Sequence, residues 1–190
     1  MFRDSLFYPL AICLVAAIVA IAMLFGGGAA LPDEQIARNG WSLSGTDLDK
    51  LTVSPGSDAQ YVSDDGGYVR LSQHVPIDVE PPSIGVFATL GPSLERVFAG
   101  KRLRMTFRAR SSAVDPLRTF MAAYVPLEAG PSDWTNFELG PEWADYSFEF
   151  SPPATDAEEN VDLVAVFPGR LGRSQNMDLA FIRVDVMAEP

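Results

Sequence analysis

In the segment from Lys101 to Arg110, KRLRMTFRAR, polar and apolar side chains alternate from Arg102 onward. One face carries Leu103, Met105, Phe107 and Ala109, and the opposite face carries Arg102, Arg104, Thr106, Arg108 and Arg110. A period of two with one apolar face is typical of a β-strand that lies over a hydrophobic core. The segment holds five of the chain's 14 basic residues, and the net charge is −11. We therefore predict a core strand whose charged face lies against acidic groups, either within the protein or on a ligand.

The composition limits the classes of function that this chain can have. Its 190 residues are enough for one hydrophobic core of ordinary size with appendages. The acidic balance argues against nucleic acid as a partner, because nucleic-acid binding needs a basic surface to displace counterions. With one cysteine, Cys13, and one histidine, His74, the chain offers no internal disulfide and little scope for metal or triad chemistry.

The N-terminal segment from Leu6 to Phe25 contains no charged residue and is long enough, as a helix, to cross a bilayer. Arg3 precedes it, so the positive-inside rule places the N-terminus in the cytoplasm. We predict a transmembrane anchor in residues 1–30, a linker in 31–39 and an extracytoplasmic domain in 40–190. The protein would then be a single-pass protein of the cytoplasmic (inner) membrane, with its C-terminal domain in a bacterial periplasm or outside the cell. A signal peptide cleaved after Ala30 is the alternative, and it delivers the domain to the same side.

Beyond the linker, short apolar stretches are separated by clusters of Gly, Pro, Asp and Ser, which favours an all-β sandwich or barrel. The candidate strands are Trp41–Leu43, Tyr68–Gln73, Ile84–Leu90, Lys101–Arg110, Leu117–Val125, Trp134–Leu139, Asp145–Phe150, Val161–Phe167 and Met177–Met187. A short turn at 92–98 is the one weak helical candidate. The segment 161–167 is apolar on both faces except at Asp162, which predicts a central, doubly covered strand.

Two further strands predict partners for the arginine row. Tyr146, Phe148 and Phe150 share one face of their strand, and Glu149 lies on the other. Near the C-terminus, Ile182, Val184 and Val186 face the core, while Phe181, Arg183 and Asp185 face outward. Glu149 and Asp185 are therefore the expected cross-strand partners of the arginines.

The order of these signals resembles a known family. Gly100–Arg110, Trp143–Phe150 and Asp178–Val186, preceded by Gly40-Trp41 and Tyr68–Leu71, are similar to the strands of carbohydrate-binding-module-like jelly rolls with galactose-binding-domain-like topology. The resemblance covers residues 38 to 188. It implies a jelly-roll β-sandwich, a structural role for Trp143 at a strand entry, and either glycan binding or a purely structural accessory role.

The candidate ligand-binding residues are Trp134, Tyr124, Asp133, Arg108 and Arg110. Flat aromatic side chains can stack on the C–H faces of sugar rings, and arginines can hold the carboxylates of acidic sugars. The alternative is that the aromatic residues, like Trp41, fill the core, and that neighbouring acids neutralise the arginines as surface ion pairs. We favour this alternative for the arginine row and for the aromatic residues, and keep the five residues as the best candidates for a binding patch.

The sequence offers little for catalysis or metal binding. It lacks a nucleophile elbow and a zinc-protease motif, and Asp64-Asp65-Gly66-Gly67 predicts a hairpin turn rather than a calcium loop. We assign no catalytic residue, no metal and no cofactor. The leading hypothesis is a membrane-anchored, non-catalytic binding module for a glycan or cell-surface polysaccharide. A structural subunit that docks its sandwich on a larger membrane-protein partner is the alternative, and a hydrolase is the least favoured.

Overall fold

The computed structural model describes residues 32–75, 85–126, 132–154, 161–169 and 175–188. The chain divides into two units, Met1–Pro32 and Asp33–Pro190, and the second contains the β-structure described below. The predicted membrane segment, 6–25, lies outside the described residues. Among the residues that are described, no helix has the length and apolar character needed to span a membrane.

Residues 33–188 form two short α-helices and eleven β-strands in their described parts. The helices are α1 (Asp33–Asn39) and α2 (Pro92–Phe98). The strands are β1 (Trp41–Ser44), β2 (Thr52–Val53), β3 (Ser57–Val62), β4 (Tyr68–Gln73), β5 (Val86–Leu90), β6 (Leu103–Ser111), β7 (Thr119–Pro126), β8 (Thr135–Glu138), β9 (Ala144–Phe150), β10 (Asp162–Phe167) and β11 (Asn176–Val186). Two 3₁₀ turns, Gly45–Lys50 and Asp64–Gly66, follow β1 and β3. All nine predicted strands are present, with ends shifted by a few residues at most.

The strands form two antiparallel sheets that pack face to face. Sheet A has the order β3-β4-β11-β6-β9, with β1 also paired to β11, and sheet B has the order β2-β5-β10-β7-β8. Consecutive strands often lie in different sheets, as β5 and β6 or β8 and β9 do, which is the connectivity of a sandwich rather than of a meander. The predicted β-sandwich is therefore confirmed.

Strand β6 lies in the interior of sheet A, between β11 and β9, as its alternation predicts. The apolar side chains Leu103, Met105, Phe107 and Ala109 are all fully buried. The ring of Phe107 meets that of Phe120 from sheet B edge to face, with the ring centres 6.3 Å apart. Contacts of this kind stabilise the packing of the two sheets, because they bury the apolar face of each sheet away from water.

Strand β10 is the central strand of sheet B, and every one of its residues is buried, as predicted. Val164 and Val166 point into the core between the sheets. The alternate residues Leu163, Ala165 and Phe167 therefore face the outer side of sheet B, where they are also buried. The outer side of this sheet thus carries apolar side chains that are shielded from solvent.

The structure contains three elements that the sequence pattern missed. Strand β3 (SDAQYV) is largely polar because it lies at the edge of sheet A, and β2 has only two residues. Helix α1 occupies the segment predicted as a linker, with Asp33 and Glu34 in its first turn, Arg38 in its last and Ile36 buried. Seven residues are too few to show a helical period, but these charges suit the helix dipole. By contrast, the segment 92–98, which the sequence predicts as a weak helical turn, does form a helix, α2, with a proline at its start.

Candidate functional site

The arginine row lies on the outer face of sheet A and is paired with acids of the neighbouring strands. Glu149 on β9 accepts hydrogen bonds from Arg102 at 2.9 Å and from Arg104 at 2.8 Å. These two guanidinium groups lower the pKa of Glu149, with Arg104 the stronger influence. The predicted pairing of the row with Glu149 is confirmed, whereas Asp185 pairs with Arg183 on its own strand, at 2.8 Å.

The two arginines that we nominated as ligand-binding residues also have acidic partners. Arg108 donates to Asp145 at 3.1 Å. Arg110 donates to Asp178 at 3.2 Å and has Asp65 at 3.8 Å. An anionic ligand would have to displace these carboxylates before it could use either guanidinium group, so the row suits a neutralised sheet face better than an anion site.

Arg110 belongs to a compact cluster over the middle of sheet A. The carboxylate of Asp178 is 1% exposed and lies between Arg110 and Arg70, which donates to it at 2.9 Å. The guanidinium carbon of Arg110 lies 4.3 Å from the ring centre of Trp143, and that ring meets Tyr68 edge to face at 5.7 Å. Trp143 therefore packs on a guanidinium group of this ion cluster, which agrees with the structural role that the family resemblance implied for it.

Contrary to the prediction, Tyr124 cannot be a sugar-binding platform. Its side chain is 0% exposed and points into the core, where its hydroxyl donates a 2.5 Å hydrogen bond to Asp162. Burial raises the pKa of the Tyr124 phenol, and Asp162 adds to that rise. Burial also raises the pKa of Asp162, although the hydrogen bond from Tyr124 works in the opposite direction. The alternation of β7 determined this outcome, because Tyr124 follows Phe120 and Ala122 on the inner face.

Trp134 and Asp133 lie at the entry to β8 in sheet B. Asp133 is exposed, and Trp134 is half-buried with its ring edge-on to Phe167, the centres 6.1 Å apart. Because Phe167 faces the outer side of sheet B, Trp134 lies on that side as well. Arg108 lies on the outer side of sheet A, so the structure separates the predicted binding residues onto opposite faces of the sandwich.

A cleft of about 280 Å³ lies between elements of the two sheets, at a place that we did not predict. Strand β1 of sheet A and the 3₁₀ turn after it form one side, and β5 of sheet B forms the other. Its lining consists of Trp41, Ser42, Leu43, Asp47, Lys50, Ala88 and Thr89.

Local backbone features position Trp41 in this cleft. Gly40 has a φ of +69° and donates its N–H to the carbonyl of Ile36 at 2.8 Å, so it ends α1 in a left-handed conformation. A Cβ atom at this position would collide with the carbonyl of Val184. The chain then enters β1, where Trp41 pairs with Val184 of β11. Trp41 is half-buried, with part of its side chain packed against the core.

The other side of the cleft adds polar groups around this apolar wall. The 3₁₀ turn Gly45–Lys50 buries Leu48 and exposes Asp47 and Lys50, whose charged groups pair at 2.6 Å. Thr89 is exposed on β5 and also lines the cleft. The combination of one indole with a carboxylate, an ammonium group and hydroxyls can hold a small polar ring that has an apolar face.

Sequence reasoning missed this cleft for an identifiable reason. The pattern predicts Trp41 as a core residue, and part of its side chain does pack against the core while the rest is exposed. Asp47 and Lys50 belong to a polar turn that matches no known motif. Thr89 is 48 positions beyond Trp41 in the numbering, so only the packing of β1 near β5 brings the two together. An exposed D-L-D-K turn directly after a Gly-Trp strand start was the available signal.

The turn at Asp64–Gly66 connects β3 to β4 as a hairpin, as predicted. Gly67 donates to the carbonyl of Asp64 at 2.9 Å, and Asp65 has a φ of +52°. Within the described ranges, no group of three or more His, Cys, Asp or Glu side chains is arranged to hold a metal ion.

No protein-family model and no curated protein sequence matches this chain. Solved structures do match its fold. The CBM22-2 xylan-binding domain of Xyn10C from Paenibacillus barcinonensis superimposes with a TM-score of 0.56 at 11% identity, over 77% of this chain and 99% of that domain. The CBM22-1 xylan-binding domain of the same protein gives 0.52 at 7% identity, over 79% and 95%. The ligand-free CBM1 of BiXyn10A gives 0.50 at 12% identity, over 77% and 97%. The chain therefore has the jelly-roll fold of these carbohydrate-binding modules, as the resemblance implied.

Proposed function

We propose that this protein is a non-catalytic glycan-binding module, anchored in the cytoplasmic membrane by residues 6–25 with its sandwich on the outer side. The observation that carries the proposal is the cleft beside Trp41, where an aromatic wall and hydrogen-bonding groups lie together on a sandwich fold. Two of the solved structures with this fold are described as xylan-binding domains, which supports glycans as the ligand class.

The chemistry of the cleft matches that of a sugar ring. One face of a pyranose ring presents C–H groups, which pack on a flat apolar side chain such as Trp41. Its hydroxyls need acceptors and donors, which Asp47, Lys50 and Thr89 supply. Recognition by a partly apolar pocket with a few placed polar groups is the usual arrangement in small-molecule sites.

The proposal locates the ligand at the Trp41 cleft rather than at the residues first nominated. Tyr124 is enclosed in the core, and Arg108 and Arg110 are engaged with acids. Trp134, with Asp133 beside it, is the rival position, because its ring is half-buried on the outer side of sheet B. The experiment below separates the two positions.

The test is a glycan array probed with the full-length protein in detergent, repeated with Trp41→Ala and with Trp134→Ala. A specific signal that Trp41→Ala removes and Trp134→Ala leaves intact is the expected result. Loss of the signal only in Trp134→Ala would move the site to sheet B. No signal on any glycan, together with co-purification of a stoichiometric membrane protein, would overturn the proposal in favour of a structural subunit.

A further inference from the structure

We infer that the cleft beside Trp41 receives the end of a neutral glycan chain, one or two sugar rings long, rather than an internal stretch of a polymer or an acidic polysaccharide. The inference rests on the proposed function and specifies the ligand of that same site. Three properties of the cleft carry it: its volume, the burial of its floor and the charge of its rim.

The volume sets the length of ligand that fits. Pockets for drug-sized ligands measure ~300–1,000 Å³. The cleft, at about 280 Å³, lies at the lower limit of that range. It has room for one ring, or two at most, whereas a site for the middle of a polymer must accommodate several successive rings.

The floor shows the direction in which the cleft runs. Leu43 from sheet A and Ala88 from sheet B both line it, and both are buried members of the core. Because inward-facing residues of both sheets line it, the cleft reaches into the space between the sheets and does not lie wholly on the surface of one sheet. A chain end can enter such a space, but an internal segment would have to enter and leave it through the same opening.

The charge of the rim favours a neutral sugar. Asp47 and Lys50 are the charged residues of the lining, and they pair with each other at 2.6 Å. A carboxylate on the sugar would compete with Asp47 for Lys50, in a chain whose net charge is −11. Hydroxyls meet no such conflict, because Asp47 can accept from one hydroxyl while Lys50 donates to its neighbour.

The nominated arginines do not alter this conclusion. Arg108 and Arg110 lie on the outer face of sheet A and are bound to Asp145 and Asp178. They are not among the residues that line the cleft. Lys50 is the basic residue that lines the cleft, and it is paired with Asp47. The cleft therefore offers an acidic sugar no unpaired cationic group.

The test measures binding by the full-length protein in detergent with oligosaccharide series, from the monosaccharide to the hexasaccharide, of xylose and of glucose. Glucuronic acid serves as the acidic counterpart of glucose. We expect affinity to increase up to the disaccharide and then to change by less than about threefold, and glucuronic acid to bind about tenfold more weakly than glucose or not at all. Trp41→Ala should weaken binding about tenfold or more, because a buried aromatic contact dominates such sites.

Rim variants keep the test valid if Trp41→Ala impairs folding. Asp47→Asn and Lys50→Gln change exposed groups, and they should weaken binding of the monosaccharide and of the hexasaccharide by the same factor. Affinity that continues to rise beyond the disaccharide, tighter binding of glucuronic acid, or rim variants without effect would overturn the inference while leaving glycan binding intact. Failure of every sugar on the glycan array would instead remove the proposed function itself.

Discussion

The phenolic hydroxyl of Tyr124 donates a 2.5 Å hydrogen bond to the carboxylate of Asp162 inside the sandwich. This contact joins the neighbouring strands β7 and β10 near one end of sheet B, where Asp162 lies in register with Pro126. It also explains how two polar groups can occupy a core, because a buried polar atom is tolerated when it is hydrogen-bonded.

Removing the hydroxyl should destabilise the fold without affecting ligand binding. Tyr124→Phe leaves Asp162 without this donor in a buried position, so we expect a loss of about 1–3 kcal/mol in the free energy of unfolding. Urea denaturation measures the loss, and glycan affinity measured on the same sample should be unchanged. A fall in affinity with stability preserved would return Tyr124 to the binding site.

The raised pKa of Asp162 predicts a pH dependence of stability. Because burial raises its pKa in the folded state, the folded protein holds this proton more tightly than the unfolded chain does. The contribution is thus most favourable below the unfolded pKa and is lost as the pH rises through the folded pKa. Asp162→Asn keeps an acceptor for Tyr124 and should remove this loss, so the variant gains stability relative to the wild type as the pH rises. Free energies of unfolding of both proteins, measured across the acidic to neutral range, check the sign.

The ion pairs on sheet A predict recovery by a charge swap. Arg108→Asp places a carboxylate opposite Asp145 and should lower the melting temperature slightly, while Arg108→Asp with Asp145→Arg should restore it. Neither protein should differ from the wild type in glycan affinity. A loss of binding in the single variant that the swap does not repair would indicate that Arg108 contacts the ligand.

The Asp178 cluster should be much more sensitive than the exposed pairs. Asp178→Ala leaves Arg70 and Arg110 without the buried carboxylate that both contact, and breaking such a bridge costs about 3 kcal/mol or more. Asp65→Asn is the matched control, because Asp65 is largely exposed, lies farther from Arg110 and has a positive φ that asparagine tolerates. Equal melting temperatures for the two variants would show that the cluster contributes little.

Gly40 should couple stability to ligand binding. Gly40→Ala introduces a Cβ against the carbonyl of Val184 at a positive φ, so we expect a loss of more than about 1 kcal/mol and a displaced Trp41. Gly66→Ala is the control, since Gly66 also has a positive φ, +85°, but has open space around it and does not line the cleft. Only Gly40→Ala should weaken glycan binding strongly. Equal effects of the two variants would attribute the change to backbone strain alone.

The fold could be predicted in large part because burial acts on the local pattern of side chains. The alternation of β6 correctly predicted which of its faces is buried, and the apolar run of β10 correctly predicted a central strand. Both predictions hold because a strand needs apolar residues on each face that is covered. Strand β3 and helix α1 escaped prediction because an edge strand buries little and a helix of seven residues contains only two turns.

The candidate site was less predictable, because ligand contacts come from elements that are remote in sequence. Trp134 and Arg108 were grouped by chemical type, and the packing of two sheets placed them on opposite sides. Trp41 was read as a core residue, and its partial exposure depends on the neighbouring edge of β5.

The sequence by itself determined the β-sandwich class, the residues of its core and the neutralised character of the arginine row. These follow from side-chain periodicity and from the balance of acids and bases along neighbouring strands. Only the tertiary structure decided that Tyr124 is enclosed, that Trp143 packs on the Arg110 that binds Asp178, and that Trp41 and Thr89 line the same cleft. Burial and proximity of that kind depend on which strands become neighbours, and that choice is made by the packing of the whole chain.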